Sequence, residues 1–242
     1  MPKRILAALL LLCLPVLASC GLIDYYFLPP PDDTAQELFE GGMDQMKEKN
    51  YGQAAEYFLK LKDRYPFSPL TPKAEVALGD AYFLDLKYPE AVEAYKEFET
   101  LHPSSPNIPY VLFQLGLSNF SQFRTIDLRQ DNVKEALEIF YRLEEAFPNS
   151  EYSKPCKEYI YKCRKILAEH EIFVADFFWR TDKFGAAWHR YLFVLENYGD
   201  VVEYKDYLRK RAEYSYYEYQ KTLSEEEREK IQWTWKRLTK WL

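Results

Sequence analysis

Six residues of this chain return at one fixed interval. Gly42, Tyr51, Ala54, Phe58, Leu61 and Pro66 recur as Gly79, Tyr88, Ala91, Tyr95, Phe98 and Pro103, each 37 residues on. Six positions held in one register mark duplication, and the order small, aromatic, Ala, aromatic, apolar, Pro is that of a helix–turn–helix unit. Such a unit buries its apolar face only against a neighbour, so the period predicts an all-α stack with one continuous core.

Each recurring position has a packing reason. Glycine inside a helix costs about 1 kcal/mol against alanine, which is tolerable where a second helix comes close. Gly42 and Gly79 are expected to face Ala54 and Ala91, 12 residues on in the second helix, small against small. Phe58 with Leu61, and Tyr95 with Phe98, stand at i and i+3 and form one apolar stripe. Pro66 and Pro103 end the second helix, because proline lacks an amide donor and restricts the residue before it.

A third unit reads Gly116, Ala136, Phe140, Leu143 and Pro148, with the Gly-to-Ala interval stretched from 12 to 20 residues. The eight inserted residues fall within Thr125–Asn132, a polar loop. A fourth unit reads Ala175, Phe178, Phe184, Ala187, Tyr191 and Val194, with Gly199 where proline is expected. A fifth helix pair is expected over Val202–Leu223 and Glu225–Leu242, the latter opened by a capping box of Ser224 and Glu227. The pattern resembles the tetratricopeptide repeat, whose period is about 34 residues; the extra residues sit in inter-unit turns such as Pro66-Phe67-Ser68-Pro69. The expectation is an all-α solenoid of about five helix pairs over residues 34–242, with N-terminal repeats 34–150 and C-terminal repeats 151–242.

The N-terminus reads differently. Lys3 and Arg4 precede an apolar run, Ile5–Leu17, too short for a bilayer-spanning helix and suited to a secretory signal over residues 1–19. Leu17-Ala18-Ser19-Cys20 resembles a bacterial lipobox, which implies cleavage before Cys20 and acylation of that residue. Gly21, not Asp, follows it, which implies passage to the outer membrane, with a lipid anchor as the only membrane attachment. Residues 20–33, with Pro29-Pro30-Pro31, read as the lipidated cysteine and a semi-rigid tether. Loss of Lys3 and Arg4 takes the net charge from −6 to about −8, which argues against nucleic acid as a partner. Cys156 and Cys163, seven apart on one expected helix, are too distant to pair with each other. They read as buried thiols, with pairing between molecules as the alternative.

No catalytic constellation stands out, and no cofactor or metal is expected. His102 precedes a helix-ending proline, His170-Glu171 lacks the second histidine of a zinc-protease motif, and His189 has no acid or cysteine at ligand spacing. Acidic pairs such as Glu144-Glu145 read as solvated helix faces. On the last helix Ile231, Trp235, Leu238 and Leu242 share one face, and Trp233 points nearly opposite. Trp233 is either a docking residue or a packing residue against Tyr216 or Tyr219.

Several segments together resemble the BamD family of outer-membrane β-barrel assembly lipoproteins. They are Arg64-Tyr65-Pro66-Phe67-Ser68-Pro69, Leu101-His102-Pro103 with Pro106-Asn107, and Tyr110-Val111-Leu112. Phe147-Pro148-Asn149-Ser150-Glu151-Tyr152, Leu167-Ala168-Glu169-His170-Glu171, Val174-Ala175 and Val194-Leu195-Glu196-Asn197-Tyr198 extend the likeness. The resemblance implies a non-enzymatic scaffold at the periplasmic face of the outer membrane. It would bind a periplasmic domain of the barrel subunit BamA, other assembly lipoproteins and unfolded barrel precursors. It also implies that Arg190, at the place of a fourth-repeat arginine, pairs with an acid on BamA. Beyond Val201 the likeness fades.

First helices line the concave face of such arrays. Phe39, Met43 and Met46, then Val76, Asp80 and Phe83, are therefore expected on a groove suited to extended, aromatic-ended peptides; helix–helix filling is the alternative for each. The competing functional reading is a periplasmic repeat lipoprotein for cell-wall or cell-division coordination.

Overall fold

The computed structural model describes residues 33–223 and Glu227. Among the described residues there are nine α-helices and no strand: α1 (Ala35–Lys47), α2 (Tyr51–Arg64), α3 (Thr71–Leu84), α4 (Tyr88–Leu101), α5 (Ile108–Phe120), α6 (Asp131–Ala146), α7 (Ser153–Arg180), α8 (Phe184–Asn197) and α9 (Lys205–Lys221). Each helix packs on the next along the chain, and contacts beyond the next helix are thin, the strongest of them between α3 and α5. That nearest-neighbour order is the solenoid the period demands.

Local chemistry sets the boundaries. Thr34 and Glu37 form a capping box that opens α1, the threonine hydroxyl taking the Glu37 amide and the Glu37 carboxylate taking the Thr34 amide at 2.8 Å. Within units one, two and four the two helices are joined through Lys49, Leu86 and Asp182, all at positive φ near 60°. The amide of the following residue reaches five residues back in each case, Asn50 to Gln45, Lys87 to Tyr82 and Lys183 to Phe178. This is the hydrogen-bonding signature of a left-handed helix cap.

The glycines have a different partner from the one expected. A Cβ on Gly42, Gly79 or Gly116 would stand 2.4–2.5 Å from a ring carbon of Phe58, Tyr95 or Phe140. Space is kept for the aromatic ring of the second helix, not for Ala54 or Ala91 as the sequence suggested. Those three rings are wholly buried and plug each helix pair.

The eight-residue insertion lies between α5 and α6, where the other units have a short cap. Gln130 is buried beneath it and donates to the carbonyls of Thr125 at 2.8 Å and Leu128 at 2.6 Å. His170 of α7 donates from Nδ1 to the Ile126 carbonyl at 2.5 Å. The histidine that resembled half of a zinc motif is therefore a clasp on the insertion.

At 28 residues α7 is twice the length of its counterparts. The buried side chains form three clusters, the first over α1–α3 with Ala94 of α4, and the second from Ala91 to Leu167. The third runs from Ala168 to Tyr216, so the last two meet inside α7. Cys156 and Cys163 are buried, unpaired and on the first half of this helix. The final described helix starts at Lys205, not Val202, because Val201 and Val202 are buried in the preceding turn. Its expected partner helix, and the capping serine Ser224, lie outside the described residues.

Candidate functional site

The groove positions sit at three fixed offsets from the small residue of each first helix, and the period extends them. Phe39, Val76 and Phe113 share one register with Ile172; Met43, Asp80 and Leu117 share the next with Asp176; Met46, Phe83 and Phe120 share the third with Trp179. Reading the groove from units one and two alone missed Phe113, Leu117 and Phe120, which adding 37 to Val76, Asp80 and Phe83 would have found.

These side chains are mostly half-buried. The Phe39 ring lies 6.0 Å from that of Phe58, Met46 packs on the first core cluster, and Val76 and Phe83 pack on the second. Phe83 also meets Tyr88 edge-on at 5.5 Å. Met43 is the most open of the predicted six, at 37% exposure. In unit three an aromatic ladder continues the stripe: Tyr110 and Phe113 against Tyr152, and Phe113 and Phe120 against Tyr159, at 5.3–6.0 Å. Half-burial holds these rings in place and leaves one surface of each available, which suits contact with a variable extended chain.

Units two and four differ from units one and three in a coordinated way. Leu38 and Leu112 of the odd units become Glu75 and Glu171 in the even ones; Met43 and Leu117 become Asp80 and Asp176; Phe58 and Phe140 become Tyr95 and Tyr191. Every introduced acid has a partner. Glu75 lies 2.6 Å from His102 Nε2, and Asp80 accepts from the hydroxyls of both Tyr95 and Tyr110 at 2.6 Å. Glu171 accepts from Arg190, and Asp176 from Tyr191. Burial pushes the Asp80 carboxyl above its ordinary range, opposed by the hydrogen bonds from Tyr110 and Tyr95. Burial likewise raises the Tyr95, Tyr110 and Tyr191 hydroxyls, so these remain donors.

Arg190 stands on α8 with 39% of its side chain exposed, held by Glu171 and 5.7 Å from the Phe178 ring centre. The same helix presents Phe193 to solvent. A guanidinium fixed at one edge and open at the other is placed to meet a second carboxylate. Trp233 and Cys20 lie outside the described residues.

The thiols offer no chemistry. Burial raises Cys156 to about 11 and Cys163 to about 12, and Cys156 donates to the Phe140 carbonyl at 3.1 Å. A thiol so raised carries almost no thiolate near neutral pH. Among the described residues no cluster of three or more His, Cys, Asp or Glu is disposed around a metal position, and no helix is long and apolar enough to cross a membrane.

Comparison with known proteins bears on the same segment. The model of the YfiO family, described as an outer membrane lipoprotein, matches residues 31–231. The outer membrane protein assembly factor BamD of Neisseria meningitidis serogroup A is 26% identical over 208 residues, covering 82% of this chain and 78% of the relative. The protein of the same name from Xylella fastidiosa strain 9a5c is 28% identical over 173 residues, 67% of this chain and 59% of its own. That of Rickettsia prowazekii is 29% identical over 161 residues, 66% of this chain and 64% of its own.

Proposed function

Because the chain belongs to the YfiO family of outer membrane lipoproteins, we propose that it is a non-enzymatic subunit of the machinery that assembles β-barrel proteins in the outer membrane. The observation that carries this is the family match across 31–231, joined by relatives named as BamD assembly factors. Cys20 anchors the protein to lipid at the periplasmic face, and residues 1–19 are removed as its signal.

Two surfaces share the work. Arg190, with Trp233, takes the periplasmic domain of BamA; the half-open guanidinium supports this assignment. The stripe of Phe39, Met43, Met46, Val76, Asp80 and Phe83, continued by Phe113 and Phe120, receives unfolded barrel precursors. Its half-buried aromatic and methionine surface supports that role. Other assembly lipoproteins complete the set of partners.

The test is capture of BamA from the same cell by the full-length lipoprotein. Arg190→Glu should weaken that capture about tenfold or more, since it sets like charges against each other. Glu171→Gln removes the internal partner and leaves the arginine free, so it should bind at least as well as the parent. An Arg190→Glu protein that is folded and binds BamA with unchanged affinity would reject the residue assignment. Depletion in the cell separates the competing reading. Loss of many outer-membrane barrels is expected, whereas chaining or failed septation with normal barrels would favour a cell-wall or division role.

A further inference from the structure

Four inter-unit turns share one backbone design. The carbonyl of the residue that caps each second helix, on Tyr65, His102, Phe147 and Tyr198, accepts the amide three residues on, from Ser68, Ser105, Ser150 and Val201 at 3.0–3.1 Å. Pro66, Pro103, Pro148 and Gly199 take the second place of the turn, and Phe67, Ser104, Asn149 and Asp200 the third. Three of those third residues are polar. The fourth, Phe67, is 99% exposed. The same turn forms around serine, asparagine and aspartate, so folding does not call for an aromatic ring there.

The turn that carries Phe67 is also where the chain enters the fold. The Tyr65 hydroxyl donates to the carbonyl of Asp33 at 2.8 Å, fastening the first described residue two positions from Phe67. The turn itself is well held: Thr71 Oγ1 donates back to the Tyr65 carbonyl at 2.5 Å, and the Leu70 amide donates to Ser68 Oγ at 3.2 Å. Leu101, across a shallow hollow from Phe67, is itself 54% exposed.

Twelve residues lie between Cys20 and Asp33. The nearer part, Leu22-Ile23-Asp24-Tyr25-Tyr26-Phe27-Leu28, has the aromatic chemistry of a membrane–water interface. At ~3.3–3.6 Å per residue the chain from Cys20 to Asp33 can reach at most about 45 Å. That limit keeps the Phe67 turn, fastened beside Asp33, within reach of the leaflet.

We propose that the Pro66-Phe67-Ser68-Pro69 turn is a second membrane contact, with Phe67 entering the interface of the leaflet that holds the anchor. The inference rests on the reading of Cys20 as the lipidated residue. The anchor holds the protein to the membrane; the ring orients it, because burying one aromatic side chain favours that pose over free tumbling by roughly an order of magnitude or more. The first unit faces lipid and the later units reach into the periplasm.

The experiment uses the full-length lipidated protein in phosphatidylethanolamine–phosphatidylglycerol vesicles. Phe67→Cys is labelled with an environment-sensitive dye; Cys156 and Cys163 are fully buried and escape the label. Leu86→Cys is the control, 69% exposed at the other end of the 14-residue α3, about 21 Å away. Nitroxide-bearing phospholipid should quench at least half the emission at position 67 and little at 86. Equal quenching at both positions, or none at 67, overturns the proposal. Failure of the unlabelled protein to float with vesicles, or flotation that survives Cys20→Ala unchanged, overturns the anchor reading and this inference with it. Flotation that depends on Cys20, with position 67 unquenched, rejects the turn alone. A photoreactive group at 67 that captures a protein in intact envelopes, with no lipid quenching, assigns the turn to a protein partner and also overturns it. Phe67→Ser, which copies Ser104, should keep the parent melting temperature and so shows that any loss of orientation is not unfolding.

Discussion

At the scale of single residues, the unit works as a lock between a missing side chain and a ring. Gly79 leaves room for Tyr95, whose ring carbons would lie 2.4–2.8 Å from an added Cβ. Gly79→Ala gains helix propensity of about 1 kcal/mol but must displace a ring with no free space around it, a cost of about 1–3 kcal/mol or more. The net expectation is a lower urea midpoint with an unchanged slope; a rise in the midpoint would show that the lock is loose. The same tyrosine makes the fold sensitive to pH through Asp80. That carboxyl titrates above its unfolded value near 3.8 because burial disfavours the charge. The folded state therefore holds the proton more tightly, so the contribution of Asp80 grows as pH falls through its folded pKa and is lost as pH rises above it. Asp80→Asn removes the titration. The melting temperature of the parent minus that of Asp80→Asn should climb as pH is lowered from about 7 to about 4. A flat difference would mean that Asp80 is not desolvated in solution. Sequence alone showed the glycine and the aromatic but paired the glycine with the wrong neighbour. Position in a repeat says which residues recur, and only three-dimensional packing says which of them meet.

At the scale of elements, α7 carries an idea that no other helix does. Its first half, with Cys156, Ile160 and Cys163, completes the second core cluster, and its second half, with Ala168, Ile172 and Ala175, founds the third. The two halves are coupled by helix continuity near Leu167–Ala168. Glu169, half-buried beside that junction, is the place to test this. Glu169→Pro removes one backbone hydrogen bond and clashes with a carbonyl one turn back, at about 3 kcal/mol or more; Glu169→Ala does neither. All five tryptophans lie at Trp179 or beyond, so their fluorescence reports the C-terminal body, whereas far-ultraviolet circular dichroism reports every helix. In the parent and in Glu169→Ala the two denaturation curves should coincide, and in Glu169→Pro they should separate. Coincident curves in all three would show that side-chain contacts, not the helix, join the halves. The length of α7 was hidden from periodic reading. Ala175 stands 59 positions after Gly116, and an interval that long reads as a lost register, although the insertion before α6 and the long first half of α7 account for it. The other helices were legible because their ends are written locally, in Pro66, Pro103 and Pro148 after the second helices. Gly199 serves the same turn without proline, since a Cβ there would lie 2.6 Å from the Leu195 carbonyl oxygen.

At the scale of the whole molecule, order along the chain becomes order in space. Contacts run almost wholly between successive helices, so stability is close to a sum of unit and interface terms, without a single centre that every element touches. The proposed groove draws on this order, since one register on α1, α3, α5 and α7 holds Phe39, Val76, Phe113 and Ile172. Its residues in the first two units were legible by counting from the glycines. Its chemistry was less so, because the hydroxyls that hold Asp80 come from Tyr95 on its own unit and Tyr110 on the next. Energetically, the same linear order predicts a gradient. The second cluster is the largest and sits mid-chain, drawing on α4, α5, α6 and half of α7. Among the described residues, helix α1 packs mainly on α2. Amide hydrogen exchange of the parent protein should therefore be slowest in α5, α6 and the first half of α7, and fastest in α1. The expected spread is several kcal/mol of opening free energy, because end units can open while the middle stays folded. A single exchange rate shared by α1 and α6 would show one cooperative body in place of a stack. The gradient also suits the proposed role: units carrying the N-terminal stripe can yield to an unfolded chain without loosening the middle, which keeps Arg190 in register for the second partner proposed for it.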